Sequence, residues 1–250
     1  MTLLTELDDS IGLGNLFLNR GESAWRDGRA VDAVADFRLS SERYLRAGDV
    51  LGAALADNNL AEILTLQLHL AVAEDLLVRA RRVTQAANYP HGTMTTISGL
   101  SRIAAWRGDI ARALELQQEA LNGFRRLQAD DFVVDSLVRL VEIHVLAGDA
   151  EAALNASRVA EVALKRLGPV AVVPSTLARL TGRALLLGAD QFAARQSFDS
   201  ALTLATADGF VYEIALASMS LGRLDGDDER VCAALAQLKE LGVDGPPPGT

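Results

Sequence analysis

The sequence has a single cysteine, Cys232, so no disulfide can form within the chain. That fits a reducing compartment. Lysine is nearly absent: of 24 basic residues only Lys165 and Lys239 are lysine, and the formal net charge is −9. A chain so acidic lacks the concentrated basic surface that wrapping a nucleic acid requires. Aromatic residues make up 5%, too few for a sheet-rich core. No apolar run is long enough to span a bilayer. The best candidate, residues 60–78, is interrupted by Glu62, Gln67, His69, Glu74 and Asp75. Residues 1–9 lack the basic start and apolar stretch of a secretory signal. These absences lead to the expectation of a cytoplasmic protein with no membrane contact.

Catalytic and cofactor motifs are also missing. Neither Lys165 nor Lys239 follows a glycine-rich loop or precedes Ser or Thr, so there is no phosphate-binding loop. Gly12 and Gly14 lack the third glycine and preceding strand of a dinucleotide site. No Gly-x-Ser-x-Gly elbow is present. His69, His91 and His144 stand far apart, which argues against zinc. His144 reads as a partly buried histidine with one hydrogen bond. Cys232 reads as a small buried filler rather than a nucleophile. The expectation is a non-enzyme with no cofactor and no metal.

Half of the residues are hydrophobic, mostly alanine and leucine, and they are arranged periodically. Gly28, Gly108, Gly148 and Gly188 mark turns spaced by multiples of 40 residues, with Leu68 at the corresponding point of the second unit. Further breaks fall at Gly48, Asn88, Ala129, Gly168-Pro169, Gly209 and Gly226. Glycine ends a helix in a left-handed residue, and a following Asp caps the next helix. Five residues after each 40-residue mark stand Ala33, Ala73, Ala113, Ala153, Ala193 and Ala233. Seven further on are Ser40, Ala80, Ala120, Ala160 and Ser200. Eight before the marks are Leu60, Leu100, Leu140 and Leu180, with Arg20 breaking the column. The residues beside them are Gly21, Ala61 and Ser101, then the larger Val141 and Thr181. Small side chains at these columns let two helices approach closely. A fixed period of this size is the signature of a helical solenoid.

These columns resemble the tetratricopeptide repeat. Leu60-Ala61 with Ala73 and Ala80, and Leu100-Ser101 with Ala113 and Ala120, match its pattern. The family's second-helix aromatic is present as Phe37, with Leu77, Gln117, Ser157 and Ser197 at the later positions. The period of 40 exceeds the family's usual 34 or so, which implies longer helices. In this respect the chain is similar to the long-helix repeats at the C-terminal ends of LuxR-type and ATPase- or cyclase-linked bacterial regulators. The resemblance implies an all-α fold, a right-handed α-solenoid of antiparallel helix pairs with about twelve helices. Residues 1–10 are expected to be a lead-in and 242–250 a disordered tail. Between them, residues 11–241 form a single domain with units at about 11–47, 50–88, 92–128, 131–167, 171–208 and 210–241.

The resemblance also implies a function. The first helix of each pair lines a concave groove, and its inward columns carry Asn19, Glu22, Asn58, Asn59, Glu62, Arg102, Trp106, Arg139, Glu142 and Arg179. Asparagine offers both donor and acceptor to a peptide backbone, and arginine takes a carboxylate or phosphate bidentately. The expected function is a non-catalytic scaffold, the sensor or interaction module of a bacterial signalling or transcriptional regulator. Its groove would hold a peptide, a protein segment or a small effector. The alternative is a self-association or adaptor module that pairs helix faces with another copy or with a partner domain.

Overall fold

The computed structural model describes residues 9–167 and 173–250. Residues 1–8, where most of the lead-in lies, and the Gly168-Pro169 break with the start of the fifth unit fall outside them. Among the described residues there are twelve helices and no strand. They are α1 (Ser10–Arg26), α2 (Ala30–Arg46), α3 (Val50–Leu66), α4 (Leu70–Ala86), α5 (Pro90–Trp106) and α6 (Ile110–Arg126). The rest are α7 (Asp130–Leu146), α8 (Ala150–Leu167), α9 (Val173–Leu187), α10 (Gln191–Asp208), α11 (Val211–Asp225) and α12 (Asp228–Glu240). Each helix packs on the next, giving six antiparallel pairs in a TPR-like solenoid.

The repeat is built helix by helix. From α1 to α7 every helix has 17 residues and every connection three. The middle residue of each connection is left-handed: Gly28, Gly48, Leu68, Asn88, Gly108, Gln128 and Gly148. The turn after α5 shows the chemistry. The Gly108 amide donates to the Ala105 carbonyl and the Asp109 amide to that of Ala104, which satisfies the carbonyls at the helix end. Asp109 then caps α6 by accepting from the Arg112 amide at 3.2 Å. Asp9, Asp49, Asp149, Asp190 and Asp227 cap other helices in the same way.

The small-residue columns are buried where the sequence puts them in the first four pairs. Ala33, Ala73, Ala113 and Ala153 have no exposed surface, nor do Ser40, Ala120 and Ala160. The register then slips by one residue. The left-handed residue of the next turn is Ala189, not Gly188. Ala194, Ala201 and Ala234 therefore take the buried places expected of Ala193, Ser200 and Ala233, and Ala233 is exposed. Cys232 is exposed as well, so it is not a core filler. The slip also restores the family's aromatic: Phe198, rather than Ser197, packs on Gly182 as Phe37 packs on Gly21. Arg20 breaks its leucine column because its guanidinium holds the buried Asp36 carboxylate, with Nε at 2.6 Å.

The last pair does not simply extend the coil. Phe210, Tyr212, Leu216, Leu238 and Leu241 share one core with Ala30, Leu66, Trp106 and Ile143, which lie at or near the turns of earlier pairs. Gln67 Nε2 donates to the Leu241 carbonyl at 2.8 Å. α11 and α12 thus cover one mouth of the superhelix and turn its concave side into a lined cavity. The segment after α12, expected to be disordered, is also seated: Val243 and Pro247 are buried.

Candidate functional site

The concave side encloses a cavity of about 390 Å³. Its wall takes residues from α1, α3, α5, α7, α9 and α11, the first helix of every pair. A recess of about 210 Å³ adjoins it and shares Asn59, Glu62, Asp135 and Arg139.

The centre of the wall is a charged network. Glu62, Arg102 and Glu142 stand at matching positions of three successive first helices, so the 40-residue period stacks opposite charges. Arg102 Nη1 donates to Glu62 at 2.6 Å, and its Nε and Nη2 reach Glu142 at 3.2 Å. Arg139 bridges the same two carboxylates at 3.3 Å and 3.4 Å. The Trp106 indole donates to Glu142 at 3.0 Å, and the Arg102 guanidinium lies 5.0 Å from its ring centroid. Burial alone would raise both glutamates. For Glu142, Arg102 and Arg139 overrule it with help from the Trp106 N–H and hold the carboxyl at about 2. For Glu62 the two arginines bring the carboxyl below its ordinary value.

Next to the network, Arg179 forms a two-point pair with Glu213, with Nε at 2.7 Å and Nη2 at 3.0 Å. Both side chains are buried. Glu213 was not among the sequence candidates. It lies on α11, and only the packing of the last pair against the coil brings it to Arg179.

The sequence candidates thus separate. Glu22, Asn59, Glu62, Arg102, Arg139 and Glu142 line the main cavity, and Asn58 lines the adjoining recess. Trp106 and Arg179 line a third recess beside Arg102 and Glu142. Asn19 is exposed and lines none of these cavities. The Asn59 amide donates to Glu22 at 3.0 Å. Arg102, Arg139 and Arg179 are already held by carboxylates of the chain itself, so their first role is to fix the shape and charge of the wall. Polar groups without a partner in the chain lie beside them. Asn58 Oδ1 and Ser136 Oγ, both in the adjoining recess, are buried without a hydrogen-bond partner. Asp135 lies on the shared wall and is exposed, with its carboxyl raised by the surrounding protein despite the pull of Arg139. Donors, acceptors and apolar side chains such as Val138, Leu180 and Phe210 face one space. That combination suits the binding of a ligand.

No helix of the described residues is long and apolar enough to cross a membrane. The sequence matches no family model, and no curated protein matches it. Among solved structures, the chain is similar to the protein in "Crystal Structure of Rap Protein Complexed with Competence and Sporulation Factor". The TM-score is 0.80 at 11% identity, over 97% of this chain and 69% of that one, a likeness of fold.

Proposed function

We propose that the chain is a non-catalytic scaffold that takes an extended peptide or protein segment into its concave cavity. In this reading it is the interaction module of a bacterial signalling or transcriptional regulator. One observation carries the reading: Asn58 Oδ1 and Ser136 Oγ are buried without partners in the recess that continues the cavity, beside the Asp135 carboxylate. Buried polar atoms cost free energy unless paired, and an extended backbone passing through the recess would supply N–H groups to all three. The ion pairs of Arg102, Arg139 and Arg179 preorganise that wall, so a ligand loses less entropy on binding. The similarly folded Rap protein was crystallised with its competence and sporulation factor, which supports a ligand-binding use of this architecture.

The experiment is a selection from a random heptapeptide display library, followed by calorimetry of the enriched peptides. Asp135→Ala and Asn58→Ala should each weaken binding by about 1 kcal/mol or more while the melting temperature stays near wild type. Glu151→Ala, on the exposed side of α8, should leave affinity unchanged. Peptides that lose affinity to Glu151→Ala but not to the recess variants would overturn the reading.

A further inference from the structure

The segment Asp244–Thr250 follows the last helix and is anchored at its base. Gly242 takes the left-handed turn at φ +75°, and the Val243 amide donates back to the Leu238 carbonyl at 3.0 Å. Leu241 and Val243 are buried in the same core as Trp106 and Phe210. Beyond this base, the Thr250 amide donates to the Pro247 carbonyl at 3.3 Å, and Gly249 has φ +77°. Proline at the second position and a left-handed glycine at the third define a type II turn over Pro247-Pro248-Gly249-Thr250.

This turn fills the third recess of the concave side, against Trp106, Leu146, Arg179, Leu180, Tyr212 and Leu216. About 10 Å³ remains, hardly the space of one water. Gly249 is needed twice over. Its φ disfavours other residues, and a Cβ there would lie 2.9 Å from Leu146 Cδ2. The recess opens onto the main cavity through Arg102, Glu142, Leu180 and Tyr212, which line both.

Among the described residues, the hydrogen bonds of Gly245 and Thr250 stay within the segment and its base, from the Gly245 amide to Val243 and from Thr250 to Pro247, and none reaches the walls of the recess. Shape and apolar contact hold the turn, not polar bonds that a competitor would have to replace. Three consecutive prolines also leave the free segment few conformations, so seating and unseating it costs little order.

We propose that the ligand class of this scaffold is a proline-glycine turn peptide, and that Asp244–Thr250 occupies its site in cis. The proposal rests on the concave-side binding reading and adds the chemistry of the ligand. The recess between Trp106, Leu146 and Tyr212 takes a prolyl turn, aromatic and aliphatic walls against pyrrolidine rings, as aromatic-lined grooves take proline-rich segments. A ligand of this class enters by displacing the resident turn. Tethering gives that turn an effective concentration of about millimolar, which sets the threshold a competitor must exceed.

The test uses the full chain and a blocked, fluorescein-labelled peptide of the sequence Asp-Gly-Pro-Pro-Pro-Gly-Thr. Gly249→Val unseats the turn through both its φ and its clash with Leu146, and Pro247→Asp unseats it by replacing a buried pyrrolidine ring with a charge that favours water. Anisotropy titrations should show the peptide binding both variants about tenfold or more tighter than the wild-type chain. In a Trp25→Phe background, Trp106 emission should shift to the red in each variant and return when peptide is added. Equal binding to wild type and variants, or no binding to folded variants, would overturn the proposal. Display-selected peptides that bind wild type and Gly249→Val alike would leave the concave-side reading standing while this proposal falls. If the turn peptide binds the variants but selected peptides ignore Asp135 and Asn58, the proposal survives and the polar recess loses its role.

Discussion

The rings of Trp25 and Tyr212 meet with centroids 5.8 Å apart, although one lies in α1 and the other in α11. This contact, with Val211 against Gly28, joins the first pair of helices to the last. A double-mutant cycle of Trp25→Leu and Tyr212→Leu should give a coupling of about 0.5–1.5 kcal/mol in chemical denaturation. A coupling of zero would mean that the two ends meet without stabilising each other.

Glu142 should make the fold acid-sensitive. Its carboxyl is depressed from 4.5 to about 2 in the folded chain. A depressed pKa contributes stability above the unfolded value, and that contribution is lost as pH falls through the folded one. Unfolding free energy should therefore drop between about pH 5 and 2, by on the order of 3 kcal/mol from this group. Denaturant titrations at pH 7, 4 and 3 should show a flatter profile for Glu142→Gln, which starts from a lower stability at pH 7 because Arg102 loses one of its two charged partners. A profile as steep as wild type would place the acid sensitivity elsewhere.

Gly182 lies beneath Phe198, and a Cβ there would stand 2.5 Å from Phe198 Cε1. Gly182→Ala should lower stability by about 1–3 kcal/mol despite its better helix propensity. The measurement is the melting temperature, with Phe198→Leu added in a second variant to recover part of the loss. An unchanged melting temperature for the single variant would mean that α9 and α10 have slack at this crossing.

Gln128 is exposed and left-handed at φ +56°. Gln128→Gly should relieve about 1 kcal/mol of backbone strain at that turn. Thermal unfolding that shows no gain, or a loss, would mean that the extra freedom of glycine in the unfolded chain cancels the relief.

What the sequence made legible follows from what it repeats. Ala73, Ala113 and Ala153 recur because close helix crossings tolerate nothing larger, so burial could be read at a fixed interval. The interval first fails between Gly148 and Ala189, where one added residue shifts the later columns, and the shorter α11 then brings the turn at Gly226 early. No turn residue announces it, since Gly188 looks like a turn centre and Ala189 does not. Twelve helices were countable, but the left-handed Leu68 and Gln128 have no local signal; their places are fixed by the length of the helices around them. At the site, the alternation of Glu62, Arg102 and Glu142 is written at 40-residue spacing, and it points to mutual pairing before ligand binding. The pairing of Arg179 with Glu213 is not written that way, because it depends on how the last pair folds back. The turn at Pro247-Pro248-Gly249 is a local signal, while its seat beside Trp106 belongs to the tertiary structure.

A solenoid that stays open behaves almost as a one-dimensional chain: each unit leans on its neighbours, and the outermost units fray first. Here the last pair leans on the first as well, through Tyr212 on Trp25, and on the second, through Leu241 beside Gln67. Neither the first pair nor the last is a free end in the energetic sense, so loosening α11 and α12 also strips cover from the turns of the first, second and third pairs. Unfolding that would otherwise travel inward unit by unit is tied into a single cooperative event, and the cavity keeps or loses its shape as a whole.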